Sequence, residues 1–449
     1  MLDSLHISNF KTWRSALLDF GLLTGLFGTN SSGKSSLIQF MLMLKQTKEA
    51  TDRGISLDLN GRLAKLGSFE DVVHNHNTED LLSWQIGFEV DHPLTLQDPS
   101  TKRSEYLVRS NEFSVGAEVG GTALGPLARV LRYQVDDQVF TLSRKKSDAN
   151  AFDLRASGSA FKFVRTPGRA WQLPGPIKSY AFPDQARTYF QNASLLADLE
   201  SAYEREVDRI FYLGPLREYP KREYVWGRSR PVDVGVRGEL VVDAILAATL
   251  DGAKYNLFKK GRLQTFQEIV AYWLKAMGLI SNFEIRELAP GSSYYQAVVK
   301  VRDDSPPALL TDVGFGVSQV LPIIVLLYYV PAGSTVILEQ PEIHLHPLAQ
   351  SALADLLINV ATYRGVQILF ESHSEHLLLR MQRRIAEEEV DAEDIKLYFT
   401  DYDEGSSHLH ELEIDEYGQI LNWPENFMGD AFGETLAAEK ARLKRMAKK

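Results

Sequence analysis

The chain contains no cysteine, which removes disulfides, thiolate zinc sites and cysteine nucleophiles together. A reducing compartment follows, and the expected location is the cytoplasm. Long apolar runs are missing as well: the most apolar stretch, "VLPIIVLLYYV", is about half a membrane span. The opening "MLDSLHISNFKTW" has no basic segment followed by an apolar one, so we expect no export leader and no membrane contact. An excess of positive charge is also absent. With 49 Lys and Arg against 59 Asp and Glu, a net charge of −10, nothing draws the whole molecule to nucleic acid, and any such contact must come from a local basic patch. Heptads persist nowhere, so no long coiled coil is expected, and no internal repeat is visible.

What is present is an ordinary globular composition, 44% apolar over 449 residues, enough for two or three packed units. Residues 1–79 hold short alternating runs that break at glycine, followed by the breaker-free helical stretch "SSLIQFMLMLKQTKEA". Residues 80–185 are rich in short alternating runs such as "RYQVDDQVFTLSRK", where Asp136 and Asp137 suit a hairpin turn, and read as a β-rich insertion. Residues 186–282 turn helical, as in "LQTFQEIVAYWLKAMGL", around a Pro, Tyr and Arg segment. Residues 283–449 alternate strands with helices, one from about Pro347 and another from about Ser374, and end in a tail whose Lys and Arg run we read as a solvated helix end. This order predicts a mainly parallel sheet with helices on its faces.

"GTNSSGKSS" places Gly28, Gly33, Lys34 and Ser35 in the G-x-x-x-x-G-K-[ST] pattern, with Asn30 inside the loop and Ser36 after it. The glycines let backbone N–H groups face phosphate, the helix start favours an anion, Lys34 meets the β and γ phosphates, and Ser35 holds Mg²⁺. A nucleoside triphosphate site with ATP and Mg²⁺ is the expectation.

Later motifs choose among the phosphate-loop classes. "GFGVSQVLPIIVLL" sets Gly314 and Gly316 at a helix start, "VILEQPEIHLHP" is an apolar strand ending in Glu339 and Gln340, and "ILFESHSEH" is another ending at His373. With "SNFKTW", "YLGPLREYPKREY" and "NWPENFMGDAF", the chain resembles over most of its length the ABC-type ATPases of the RecF, SMC and overcoming-lysogenization-defect kind, in particular a bacterial subgroup with an EQPEIHLHP strand. The resemblance implies an α/β ABC-type ATPase head with a β-rich insertion. It also implies two heads sandwiching two ATP molecules, a homo-oligomer in which Gly314, Gly316 and Ser318 face the partner's γ-phosphate, and His373 as the histidine that senses hydrolysis. The signature departs from the usual LSGGQ, with Phe315 where several relatives place serine. Lysogenization-defect relatives carry a nuclease domain after the ATPase; no such domain is expected here. The implied function is an ATP-driven sensor or scaffold in bacterial antiphage defence that controls a separately encoded effector, a nuclease or toxin. The alternative is a RecF-like, ATP-dependent DNA-binding protein.

In the family's usual acid pair the first carboxylate serves Mg²⁺ and the second polarises water; here the positions read Glu339 and Gln340. An amide accepts no proton at pH 7, and a general base is worth about 10²–10⁴ in rate, yet an amide can still orient water. Three readings follow: Gln340 positions water and turnover is slow, which we favour; Glu342 serves as base; or ATP is held in a long-lived clamp. His373 with His376, or His344 and His346 with Glu342, would also suit a metal, but the ATPase pattern accounts for both segments, and we read His346 and His376 as packing or solvent-facing residues. Residues 217–230 interleave Arg217, Lys221, Arg222, Arg228 and Arg230 with Tyr219, Tyr224 and Trp226. That mixture suits nucleic acid, a solvated loop, or an arginine that reaches nucleotide. The resemblance implies contact of Lys11 and Trp13 with the adenine base, and for Trp13 core packing stays equally open.

Overall fold

The computed structural model describes residues 1–98, 106–148, 150–158, 161–168, 172–258, 261–424 and 440–442. In chain order the strands are β1 (Leu2–Phe10), β2 (Trp13–Asp19), β3 (Leu23–Gly28), β4 (Leu82–Gln97), β5 (Tyr106–Thr122), β6 (Gly125–Val135), β7 (Gln138–Arg144), β8 (Phe152–Ser157) and β9 (Ile210–Leu213). They continue with the short β10 (Tyr224–Val225), β11 (Lys254–Asn256) and β12 (Leu263–Thr265), then β13 (Asn282–Glu287), β14 (Tyr294–Lys300), β15 (Ala308–Leu309), β16 (Thr335–Glu339), β17 (Gln367–Glu371), β18 (Ile395–Asp403) and β19 (Ser406–Leu412). The helices are α1 (Lys34–Glu49), α2 (Phe69–Val72), α3 (Gln185–Tyr189), α4 (Leu195–Asp208), α5 (Val241–Leu250), α6 (Phe266–Ala276), α7 (Phe315–Tyr329), α8 (Pro347–Arg364) and α9 (Glu375–Ala386).

Among the described residues two large sheets dominate. One is antiparallel in the order β2-β1-β4-β5-β6-β7-β8 and the other runs β19-β18-β3-β17-β16-β9, parallel from β18 to β9 with β19 antiparallel at the edge. The parallel strands are apolar nearly throughout because both faces are covered. Val336, Leu338, Ile368 and Phe370 enter a core shared with α5 to α9, whereas Ile337, Leu369, Leu26 and Tyr398 enter one shared with α1, α4 and the antiparallel sheet. Each such side chain contributes about 1.5–3 kcal/mol on burial, so the strand ends that carry the site rest on a rigid base.

Local chemistry sets the element ends. Asp136, at φ 50°, and Asp137 make the two-residue turn between β6 and β7. Pro347 starts α8, where its missing N–H costs nothing, and Gly365 ends it at φ 62°. Ser374 caps α9 by accepting the Leu377 N–H at 3.1 Å.

Strand pairing crosses the segments read from the sequence at two places. Strands of residues 80–185 do not form a sheet of their own: β4 pairs with β1 along Leu2–Ser8, so the N-terminal strands and the later β-rich stretch are one sheet. Within residues 186–282, β9 is the edge strand of the parallel sheet. Its four residues are all buried, and so short an apolar run between helical stretches carries too little periodicity to be read as strand. The end of the "NWPENFMGDAF" motif and most of the basic tail lie outside the described residues. No helix among the described residues is long and apolar enough to cross a membrane.

Candidate functional site

The parallel strands β3, β17, β16 and β9 all deliver their C-terminal ends to one edge of the sheet, the edge where open α/β sheets place ligands. The loop after β3 is a glycine construction. Gly28 sits at φ 141°, and a Cβ there would lie 2.1 Å from the Thr400 carbonyl oxygen. Gly33 sits at φ 97°, and its Cβ would meet the Ser407 hydroxyl at 2.7 Å and the Thr12 hydroxyl at 2.9 Å. The buried Trp13 indole N–H donates to the Gly33 carbonyl at 3.1 Å. Trp13 thus supports the loop from within the core and presents no face to a base, which closes the question the sequence left open. Lys11 donates to Gln39 at 2.6 Å.

Lys34 donates to the Thr29 carbonyl at 2.7 Å and the Gly28 carbonyl at 3.1 Å, arching over the loop. Burial lowers its pKa and the nearby Glu371 works against that. Asn30 is exposed on the loop, Ser36 donates its backbone N–H to Gly33 at 3.0 Å, and no side chain caps α1. The helix start is therefore open to an anion.

Opposite the loop, Glu339 and Glu371 are register partners at the ends of β16 and β17. The Ser35 hydroxyl donates to Glu371 Oε2 at 2.7 Å, and Glu339 Oε1 accepts from the Tyr212 phenol at 2.8 Å. Of the two residues expected to serve Mg²⁺, Ser35 is therefore bonded to a third, Glu371, and Glu339 to Tyr212. Burial raises the Glu339 carboxyl pKa, with the charge on Glu371 adding to it and the Tyr212 hydrogen bond and Arg217 opposing. Arg217 lies beside Tyr212 and Glu339; burial pushes its pKa down to about 10. Its Nε and Nη1 are buried without hydrogen-bond partners.

Gln340 follows Glu339 in a left-handed conformation, φ 44°, with its N–H donating to the Glu371 carbonyl at 2.9 Å. A non-glycine residue held there stores roughly 1–2 kcal/mol of strain. Glu342 is only 8% exposed, and its Oε1 accepts the His373 backbone N–H at 2.8 Å. That carboxylate anchors the loop carrying His373, and burial raises its pKa. His373 is exposed as a residue, but its ring meets the Gly28 carbonyl, and the partial desolvation there together with Lys34 lowers its pKa. Phosphate loop, carboxylate pair, Gln340 and His373 thus share one edge.

The start of α7 is partly exposed and partly buried. Gly314 and Phe315 are exposed, but Ser318 is buried, its hydroxyl donating to the Phe315 carbonyl at 2.7 Å. Within the single chain the Ser318 hydroxyl is thus turned to its own helix. Gly316 leaves room beside His344 and Leu345, its Cβ position 3.5 Å from the His344 carbonyl. Phe315 packs between Tyr219 and His344, with centroids 5.5 and 5.1 Å away. His346 caps α8 and His376 is exposed; among the described residues no three His, Asp or Glu converge as a metal set.

The basic stretch is largely internally engaged. Arg222 pairs with Asp312 at 2.8 Å, Arg230 with Asp251 at 2.5 Å and Lys221 with Glu218 at 2.9 Å. Trp226 is buried, Tyr224 half-buried and Tyr219 exposed, while Arg228 is exposed at φ 60°.

Sequence reasoning missed Glu371 and Tyr212 and did not separate Arg217 from the other cations of residues 217–230. Glu371 carried a usable signal, since an acid closing an apolar strand is what marked Glu339. The donor set suits ATP and Mg²⁺: hydroxyl and carboxylate oxygens for a hard cation, and a glycine loop leading to a helix start that no side chain caps.

A family profile described as "AAA domain, putative AbiEii toxin, Type IV TA system" matches residues 23–380, and one for a protein family of unknown function (DUF3696) matches residues 390–437. Among curated proteins no sequence match is found. Similar solved structures include the SMC head domain from Thermotoga maritima, 13% identical, covering 92% of this chain and 99% of that one at a TM-score of 0.43. They also include an SmcHead bound to the C-winged helix domain of ScpA, 11% identical with 92% and 98% covered at 0.44. The α/β ATPase-head class expected from the motifs is the class of this chain, with no long coiled coil among the described residues.

Proposed function

This chain belongs to the family of AAA domains described as putative AbiEii toxin, type IV TA system, and from that premise we propose that it is a slow ATPase acting as a nucleotide-driven sensor or scaffold in bacterial antiphage defence. In this reading ATP pairs two heads, and the ATP-bound assembly controls a separately encoded effector, a nuclease or toxin. The family's description supports a defence setting.

The observation that carries the slow-turnover reading is the placement of Gln340. Its backbone is tied to Glu371 beside the carboxylate pair, where its amide can orient a water but remove no proton. Glu342 offers a poor substitute, being buried and holding the His373 N–H. Lys34 and the α1 N–H groups bind phosphate, and His373 reads the γ-phosphate end. Bound Mg²⁺ would supply charge neutralisation of the phosphates beside Ser35, Glu339 and Glu371. The DNA-clamp alternative loses Arg217, which is buried, while Lys221, Arg222 and Arg230 are paired with acids in weak surface ion pairs that leave them more than half exposed.

The test measures ATP turnover and particle mass with Mg²⁺ for wild type and Gln340→Glu. Restoring a base should raise turnover about 10²-fold or more and shorten the life of ATP-dependent dimers. Equal rates for the two proteins would remove Gln340 from the mechanism, and a wild type that neither binds ATP nor retains a co-encoded partner in a pull-down would overturn the whole reading.

A further inference from the structure

We propose that Glu371 is the positioning carboxylate of the cation site: its side chain aims the Ser35 hydroxyl at the metal, and its backbone carbonyl fixes the turn that presents Gln340. The inference rests on the ATP and Mg²⁺ reading above and deepens it.

Glu371 ends β17, is 3% exposed, and has Glu339 as its register partner on β16. A carboxylate so buried needs a partner, and Ser35 supplies it at 2.7 Å. The direction of this bond matters. Ser35 donates its only proton to Glu371, which leaves the hydroxyl lone pairs facing away and available to a cation. When a metal draws on those lone pairs the O–H becomes a better donor, so binding strengthens the bond to Glu371 rather than breaking it. This is the arrangement by which an outer partner orients a metal ligand and raises its basicity, and losing such a partner typically costs about 10–100-fold in metal affinity.

The same residue governs the other strand. The Glu371 carbonyl accepts the Gln340 N–H at 2.9 Å, and this bond holds Gln340 in its left-handed turn. One residue therefore spaces the serine of the phosphate loop from the amide that meets the water. Glu339, held by Tyr212, remains the carboxylate free to face the cation directly or through water.

The experiment uses the full chain, with Mn²⁺ as the probe. Free Mn²⁺ is followed by electron paramagnetic resonance in the presence of ATP, and ATP affinity is measured separately in EDTA. Wild type must bind ATP in EDTA and Mn²⁺ with ATP; its failure in both would sink the functional reading and not this inference alone. Glu371→Gln should weaken Mn²⁺ binding about 10–100-fold while ATP affinity in EDTA stays within about twofold. The double variant Ser35→Ala, Glu371→Gln should bind Mn²⁺ no more weakly than Ser35→Ala, since both changes break one interaction. Glu371→Asp, a carboxylate one methylene shorter, should fall between wild type and Glu371→Gln. Unchanged Mn²⁺ affinity, additive losses in the double variant, or a parallel loss of ATP affinity in EDTA would each overturn the assignment, the last by making Glu371 a purely structural residue.

Discussion

On one side of the nucleotide cleft stand residues 28–36, a single continuous run whose shape comes from backbone angles. On the other stand Tyr212, Arg217, Glu339, Gln340, Glu342, Glu371 and His373, drawn from three separated segments and assembled by strand register. The loop side is specified by sterics, with Gly28 and Gly33 in conformations that would force a Cβ into neighbouring atoms. The carboxylate side is specified by buried charge, with two carboxyls pushed up by desolvation and a guanidinium pushed down. A side built by sterics tolerates no added atom, whereas a side built by buried charge tolerates neutral isosteres and is sensitive to pH.

Three substitutions sharpen or break this comparison. The largest effect belongs to Gly28→Ala, because φ 141° and a 2.1 Å approach to the Thr400 carbonyl leave no unstrained position for the methyl. We expect ATP affinity to fall about 100-fold, the equivalent of about 3 kcal/mol of strain; retention of affinity in a direct binding titration would show the loop is not sterically specified.

Glu342→Gln should act through pH. Burial raises the carboxyl pKa of Glu342 in the folded chain above its ordinary 4.5. A group raised on folding contributes stability that is present in full below its unfolded pKa and lost as pH rises through the folded value. Wild type therefore carries the cost of a buried charge at neutral pH, while the amide, which still accepts the His373 N–H, does not. In urea titrations the variant should be the more stable protein at pH 7.5, and its advantage should shrink as pH is lowered toward 4.5. A constant gap across pH would mean that the carboxylate is not titrating where the structure buries it.

The smallest effect is that of Trp13→Phe, which keeps the ring in the core and removes the donor to Gly33. A loss of about 1 kcal/mol in stability, with a few-fold weaker ATP binding, is expected; no change in either would mean the loop holds its shape without that bond.

Legibility followed the same division. The phosphate loop, its strand and its helix were readable because spacing, glycine and the apolar run lie within one window. Glu339, Gln340 and His373 were readable as the ends of apolar strands. The burial of Ser318 was not legible, because a serine in a glycine-rich helix start looks solvent-facing until the helix phase turns it inward. Arg217 looked like its neighbours Arg222 and Arg230, since nothing local distinguishes a buried cation from a surface one. That Glu342 holds the His373 backbone was not legible, because the two lie far apart in the chain.

The sequence by itself determined the class of the molecule, the location of the triphosphate loop and the absence of an acid at position 340, because these are properties of short windows in which side-chain type and backbone freedom suffice. Only the tertiary structure decided that Ser35 answers to Glu371, that Tyr212 and Arg217 flank Glu339, and that Trp13 props the loop from below. These pairings join residues far apart in the chain, and strand register, set by burial of both faces of the parallel sheet, is what brings them to one edge.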